Sequence, residues 1–121
     1  MDRLPVALVV DDEYSNIILF KTILIDFKVE TAYSVNEAKS ILQTKKIDII
    51  ISDYNMPHEN GYDLLKWVKK NEVNTPFIVV SANRDTDVIK KLILGGAKDF
   101  ISKPFSIKSL QIKIKQLVKN R

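Results

Sequence analysis

Short apolar runs alternate with amphipathic stretches along the whole chain. Five runs read as strands, at 6–10, 29–32, 47–52, 77–81 and 99–102. Between them, apolar side chains recur three and four residues apart, the spacing of one helix face. Ile17, Phe20 and Leu24 form the first such stripe, and Ala38, Ile41 and Leu42 the second. Leu64, Leu65 and Val68 form the third, Val88, Leu92 and Ile93 the fourth, and Leu110, Ile114 and Leu117 the last. Start and stop signals agree with this pattern. Ser34-Val35-Asn36-Glu37 has the form of a capping box, whose hydroxyl and carboxylate satisfy free amides at a helix start. Gly95-Gly96 offers the positive φ that ends a helix. Thr75-Pro76 leads into the fourth strand, where a missing N–H does little harm.

Five βα units in succession predict an α/β fold: a doubly wound, five-stranded parallel sheet covered by helices on both faces, with right-handed crossovers. The flavodoxin-like order 2-1-3-4-5 suits five strands. The third run, Ile47-Asp48-Ile49-Ile50-Ile51-Ser52, is hydrophobic enough for a strand buried on both faces. It ends in Asp53, which opens the loop Asp53-Tyr54-Asn55-Met56-Pro57, and the first strand ends in Asp11-Asp12-Glu13. Open α/β sheets bind ligands at the carboxyl ends of their strands. With strands one and three side by side, ~4.8 Å apart, Asp12 and Asp53 become neighbours. The fourth strand ends in Ser81-Ala82 and the fifth in Lys103-Pro104. Ser81 then lies one strand from Asp53, within range of a hydroxyl, and Lys103 lies two strands away, roughly 10 Å, which needs a long arm.

The residue types point to one chemistry. Asp11, Asp12 and Asp53 repel one another unless a cation neutralises them, and oxygen ligands without nitrogen or sulfur favour Mg²⁺ or Ca²⁺. A few protein oxygens with room left for waters and phosphate oxygens are typical of Mg²⁺. Lysine supplies a positive charge to a phosphoryl oxygen, and a hydroxyl donates to another. The carboxylate left to attack is Asp53, in aspartyl-phosphate chemistry.

These motifs resemble the receiver domain of bacterial two-component response regulators. Val9-Val10-Asp11-Asp12-Glu13, Asp53-Tyr54-Asn55-Met56-Pro57 followed by Gly61, Ser81-Ala82 and Lys103-Pro104-Phe105 occur in order, each at a strand end. The resemblance covers the chain from about Val6 to Lys119. It implies that Asp53 accepts a phosphoryl group from a sensor histidine kinase or a histidine phosphotransfer protein. It implies Mg²⁺ held directly by Asp12 and Asp53 and by the Asn55 carbonyl, with Asp11 assisting through water. Ser81 matches the switch hydroxyl, Lys103 the phosphoryl-contacting lysine and Phe100 the switch aromatic, and the bond to Pro104 is expected cis. Phosphorylation would draw Ser81 inward, free space for Phe100 and reshape the face made by the fourth helix, fifth strand and fifth helix. That face would serve an output domain, a downstream protein or a phosphorylation-dependent homodimer.

Composition narrows the field. The chain has 121 residues, 45% of them hydrophobic, which suits one receiver domain with its own core. It has no cysteine, which excludes disulfides, thiolate metal centres and cysteine nucleophiles. The stretch Met1-Asp2-Arg3-Leu4-Pro5 contains no secretory h-region. No apolar stretch can span a bilayer, so a cytoplasmic location without a membrane partner is expected. The net charge is +4, and much of the basic excess falls in Lys108, Lys113, Lys115, Lys119 and Arg121, read as a solvated face. No recognition element accompanies it, so no sequence-specific nucleic acid binding is expected. No output segment is present, which leaves a free-standing regulator or part of a longer one. His58 reads as an exposed loop residue, Tyr62 and Trp67 as packed or partly exposed residues without a ligand, and Ile112 as peripheral core or exposed partner surface. Asn55 and Asn83 stand where the resemblance places determinants of phosphate lifetime.

Rival functions fit less well. A flavodoxin-like cofactor binder needs a Ser-, Thr- or Gly-rich loop after the first strand to cradle phosphate, and Asp11-Asp12-Glu13 repels one. An aspartate-nucleophile phosphatase usually carries a second acid two residues after the nucleophile, where Asn55 offers no general acid. The expectation is therefore a protein that catalyses only its own aspartyl phosphorylation and dephosphorylation. A receiver that signals without phosphate would not need the intact acids, hydroxyl and lysine.

Overall fold

The computed structural model describes residues 3–119. Met1 and Asp2 of the N-terminal stretch and Arg121 of the basic terminal segment lie outside the described residues. Strands and helices alternate throughout: β1 (Val6–Val10), α1 (Tyr14–Ile23), β2 (Lys28–Ala32), α2 (Val35–Thr44), β3 (Ile49–Ser52), α3 (Gly61–Lys70), β4 (Phe77–Ser81), α4 (Thr86–Leu94), β5 (Asp99–Ser102) and α5 (Ile107–Lys119). All strand pairs are parallel and the sheet order is β2-β1-β3-β4-β5, as the alternation predicted.

The period-two geometry of the strands divides the core into two layers. Leu8, Val10, Ile50, Phe77 and Val79 meet Ala38 of α2, Leu64, Leu65 and Val68 of α3, and Leu92 of α4. Ala7, Val9, Ile49, Ile51, Ile78 and Val80 face the other way, onto Ile17 and Phe20 of α1 and Leu110 and Ile114 of α5. Each of the valine, leucine, isoleucine and phenylalanine side chains among them contributes about 1.5–3 kcal/mol through burial. β3 and β4 are buried along their whole length, whereas β5, at the sheet edge, is half-buried.

Two strand starts differ from the sequence pattern. β2 begins at Lys28, whose N–H donates to the Pro5 carbonyl at 2.9 Å. β3 begins at Ile49 rather than Ile47, because the Asp48 carboxylate accepts from Val6 N–H at 2.7 Å and so takes the place of a ladder partner. One helical stripe also narrows: Leu92 is buried, but Ile93, expected in the core, is 44% exposed. The Gly95-Gly96 stop behaves as expected, with φ +111° at Gly96.

Candidate functional site

The site assembles at the carboxyl edge of β1, β3, β4 and β5. Val10 and Ser52 are register partners, so the residues that follow them emerge side by side. The Asp53 N–H donates to the Val10 carbonyl at 2.9 Å, and the Asp11 N–H to the Ala32 carbonyl at 3.0 Å. Both acids thus extend the ladder by one residue and cannot swing away as free loop side chains. Ligand oxygens of Asp11, Asp12 and Asp53 all lie within 4.8 Å of one another. Asp11 and Asp53 are buried, and Asp12 is exposed.

Lys103 reaches across from the β5 edge. Its ammonium stands 3.6 Å from Asp11 Oδ2 and 3.8 Å from Asp53 Oδ2, so the long arm spans the two strand spacings anticipated for it. The Lys103 N–H donates to the Ser81 carbonyl at 3.0 Å, which fixes where the arm starts. The Lys103-Pro104 bond is cis. Ser81 is buried at the β4 tip, and its Oγ accepts from the Asn83 N–H at 3.2 Å. Phe100 is half-buried on β5 and is the register partner of Val79, two strands from Asp53. Asn55 is exposed in the loop after Asp53.

Hydrogen bonds aim the carboxylates. Asp53 Oδ1 accepts from the Tyr54 N–H at 2.7 Å, while Oδ2 faces Lys103. Asp11 Oδ1 accepts from the Glu13 N–H at 3.0 Å. Burial raises the Asp11 carboxyl above the ordinary 3.8, and the Asp53 charge pushes the same way. The Glu13 N–H, the Lys103 ammonium and the Asn16 side chain oppose the rise without cancelling it. A buried, crowded carboxylate of this kind is a group that a small hard cation stabilises, and an all-oxygen donor set suits Mg²⁺.

Several contributors escaped the sequence reading. The Ser52 hydroxyl donates to the Asp53 carbonyl at 2.7 Å. The Arg84 guanidinium donates to the Lys103 carbonyl at 3.0 Å and ties the β4–α4 loop to the β5–α5 loop. Asn60 and Asp63 form a reciprocal capping box at α3, and that spacing was visible in the sequence. His58 is exposed as expected, with φ +71°, and lines an open cleft of about 540 Å³ together with Asp12. Among the basic residues of the last helix, Lys113 pairs with Asp99 at 3.1 Å and Lys115 with Asp26 at 2.7 Å. Ile112 is 49% exposed.

A parallel 2-1-3-4-5 sheet with acids at two strand tips, a hydroxyl at a third and a lysine at a fourth is the arrangement that the sequence motifs anticipated. Residues 7–115 match the family model of the response regulator receiver domain, and the chain belongs to that family. It is 39% identical over 114 residues to the response regulator SaeR of Staphylococcus aureus strain USA300, a match covering 92% of this chain and 49% of that protein. The chain thus spans about half the length of the curated relatives it matches. It is also similar to the receiver domain of the Francisella response regulator 1452, with 33% identity, a TM-score of 0.89, and coverage of 96% of this chain and 98% of that one. The signal receiver domain of a putative Luxo repressor protein from Vibrio parahaemolyticus superimposes with a TM-score of 0.92 at 28% identity, covering 98% of this chain and 92% of that one. The family is that of two-component signalling. Among the described residues, no helix is long and apolar enough to cross a membrane.

Proposed function

We propose that the chain is a single receiver domain that accepts a phosphoryl group on Asp53 from the phosphohistidine of a sensor kinase or phosphotransfer protein. The observation that carries this reading is the meeting of three carboxylates within 4.8 Å with the Lys103 ammonium beside two of them. Attack by an Asp53 oxygen forms a P–O bond and breaks the donor P–N bond, and the electron pair stays with the imidazole, which then takes a proton. Asp12, Asp53, the Asn55 carbonyl and Asp11 would hold Mg²⁺, whose charge would screen the carboxylates from the incoming phosphoryl oxygens. Lys103 supplies a second positive charge from the opposite side, and the Ser81 hydroxyl donates to another phosphoryl oxygen. Asn55 gives no general acid, so no turnover of phosphomonoesters is expected.

The readout follows from the same tips. Phosphate draws Ser81 toward Asp53, Phe100 moves into the space released, and the α4-β5-α5 face changes shape. With phenylalanine at this position the change is one of packing alone, since no hydroxyl exchanges partners. An output domain, a separate downstream protein or a second copy reads that face, in the cytoplasm and without specific nucleic acid contact by this domain.

The test is uptake of phosphate from a small acyl phosphate in the presence of Mg²⁺, followed by intact mass. The parent gains one phosphoryl group and binds beryllofluoride, and Asp53→Ala does neither. Stoichiometric uptake by Asp53→Ala would overturn the assignment.

A further inference from the structure

We propose that the surface between α3 and α4 is a docking site for an acidic segment of a partner protein, with Leu94 as its apolar contact. This surface is built around one half-buried ring. The Lys91 ammonium lies 4.4 Å from the Tyr62 ring centroid and the Lys66 ammonium 5.1 Å from it. Lys91 also stands 6.0 Å from the Tyr54 ring. Two cations thus share one ring, and their combined positive charge on this surface favours an incoming carboxylate.

The protein itself does not supply that carboxylate. Asp63 lies 3.9 Å from Lys66, and its other oxygen, Oδ2, is held by the Asn60 N–H at 2.8 Å in the helix cap. Among the described residues, Lys69, Lys90 and Lys91 have no carboxylate partner. The stem of Lys69 lies where a side chain on Gly96 would fall, which brings a third ammonium to the end of α4. On α5, by contrast, Lys113 and Lys115 already have carboxylates at 3.1 and 2.7 Å.

Leu94 identifies the kind of partner. It is 79% exposed, one helical turn from Lys90 and Lys91. An apolar side chain beside the cations has no counterpart on a phosphate backbone, but it fits an apolar residue within an acidic peptide. Lysines act as point charges suited to single carboxylates, whereas planar bidentate recognition selects arginine. A second copy of this chain bringing the same surface would add like charges to the face.

The site can be tested on the whole chain whether or not Asp53 takes up phosphate. Isotope-labelled protein is titrated with a short synthetic peptide of glutamates and leucines, with its glutamine analogue, and with oligothymidylate. The peptide is expected to shift the resonances of Tyr62, Lys66, Lys91 and Leu94, to bind more weakly as salt rises, and to lose to neither competitor. Lys66→Glu combined with Lys91→Glu weakens it by about tenfold or more, Leu94→Ser weakens it by about threefold, and Lys108→Glu with Lys119→Glu on α5 leaves it unchanged. Circular dichroism checks the fold, and Lys66→Gln with Lys91→Gln, a milder pair, still weakens binding. Absence of shifts, shifts centred on α5, tighter binding of oligothymidylate, or full affinity in the glutamate double variant would each overturn the proposal.

Discussion

A methyl group on Gly61 would lie 2.6 Å from the Asp53 carbonyl oxygen and 3.1 Å from Tyr54 Cα, so the first turn of α3 touches the strand-tip aspartate backbone to backbone. The Gly61 N–H holds this approach by donating to the Tyr54 carbonyl at 2.8 Å. Neither contact involves a side chain that can rotate away. Gly61→Ala must therefore move the loop that follows Asp53, at a cost of about 1–3 kcal/mol. Thermal unfolding should show the loss, and a Mg²⁺ titration should show weakened binding, because the displaced loop carries Asp53 and Asn55. A variant with the parent's Tm and Mg²⁺ affinity would mean that the loop yields freely.

Asp11 trades stability for its place in the acid cluster. Its carboxyl is raised above 3.8, chiefly by burial. Below that ordinary value the folded state gains from holding the proton, and the gain is lost as pH rises through the raised value. At neutral pH without a divalent ion, the ionised carboxylate therefore weighs against folding. Asp11→Asn should raise the Tm of the ion-free protein at neutral pH by a few degrees, where ~1 kcal/mol corresponds to roughly 4 °C in a domain of this size. The difference should shrink as pH falls toward 3.8. Added Mg²⁺ should stabilise the parent more than the variant, because ion binding to the folded state adds to its stability. A lower Tm for Asp11→Asn under ion-free neutral conditions would contradict this account.

The cap of α3 is tied to the same loop. Asn60 Oδ1 accepts from the Asp63 N–H at 2.9 Å, Asp63 Oδ2 accepts from the Asn60 N–H at 2.8 Å, and Asn60 Nδ2 donates to the Tyr54 hydroxyl at 3.3 Å. Asn60→Ala should cost about 1 kcal/mol through the lost cap. Asn60→Ser keeps an acceptor and should recover most of it. Amide exchange should quicken in the first turn of α3 in the alanine variant alone. Equal unfolding midpoints for the two variants would place the stability elsewhere.

What the sequence made legible was whatever local pattern decides. The run Ile49-Ile50-Ile51 could only be a strand buried on both faces, and the order of the five tips followed from counting βα units. The acids, hydroxyl and lysine stood out because each lies at the end of such a run or just beyond it. Matters settled by contacts distant in sequence were not visible. Asp48 shortens β3 by bonding the Val6 N–H, forty-two residues away. Ser34 accepts from the Glu37 N–H at 3.1 Å, but the Glu37 carboxylate takes the Tyr33 N–H at 2.8 Å instead of closing the box on Ser34. Ile93 shares the period of Val88 and Leu92, yet periodicity fixes the centre of a buried stripe and not its width. The Lys91 contact with Tyr62 depends on how α3 and α4 pack, which no spacing encodes.

Lys103 should give two effects of opposite sign. Its ammonium stands 3.6 and 3.8 Å from Asp11 and Asp53, where it both neutralises the acids and competes with any divalent ion for them. Lys103→Met keeps most of the stem and removes the charge. Without the cation, two buried carboxylates face each other, and stability in the absence of metal should fall by about 1–3 kcal/mol. The vacated carboxylates should then bind Mg²⁺ more tightly, by about tenfold if removing the repulsion is worth ~1.4 kcal/mol. The stabilisation given by beryllofluoride should nevertheless shrink, because the anion loses its partner on the β5 side. Thermal unfolding, calorimetric titration with Mg²⁺ and the beryllofluoride-induced Tm shift measure the three quantities separately. If Mg²⁺ binding weakens in Lys103→Met, the ammonium is orienting the carboxylates for the ion and not competing with it.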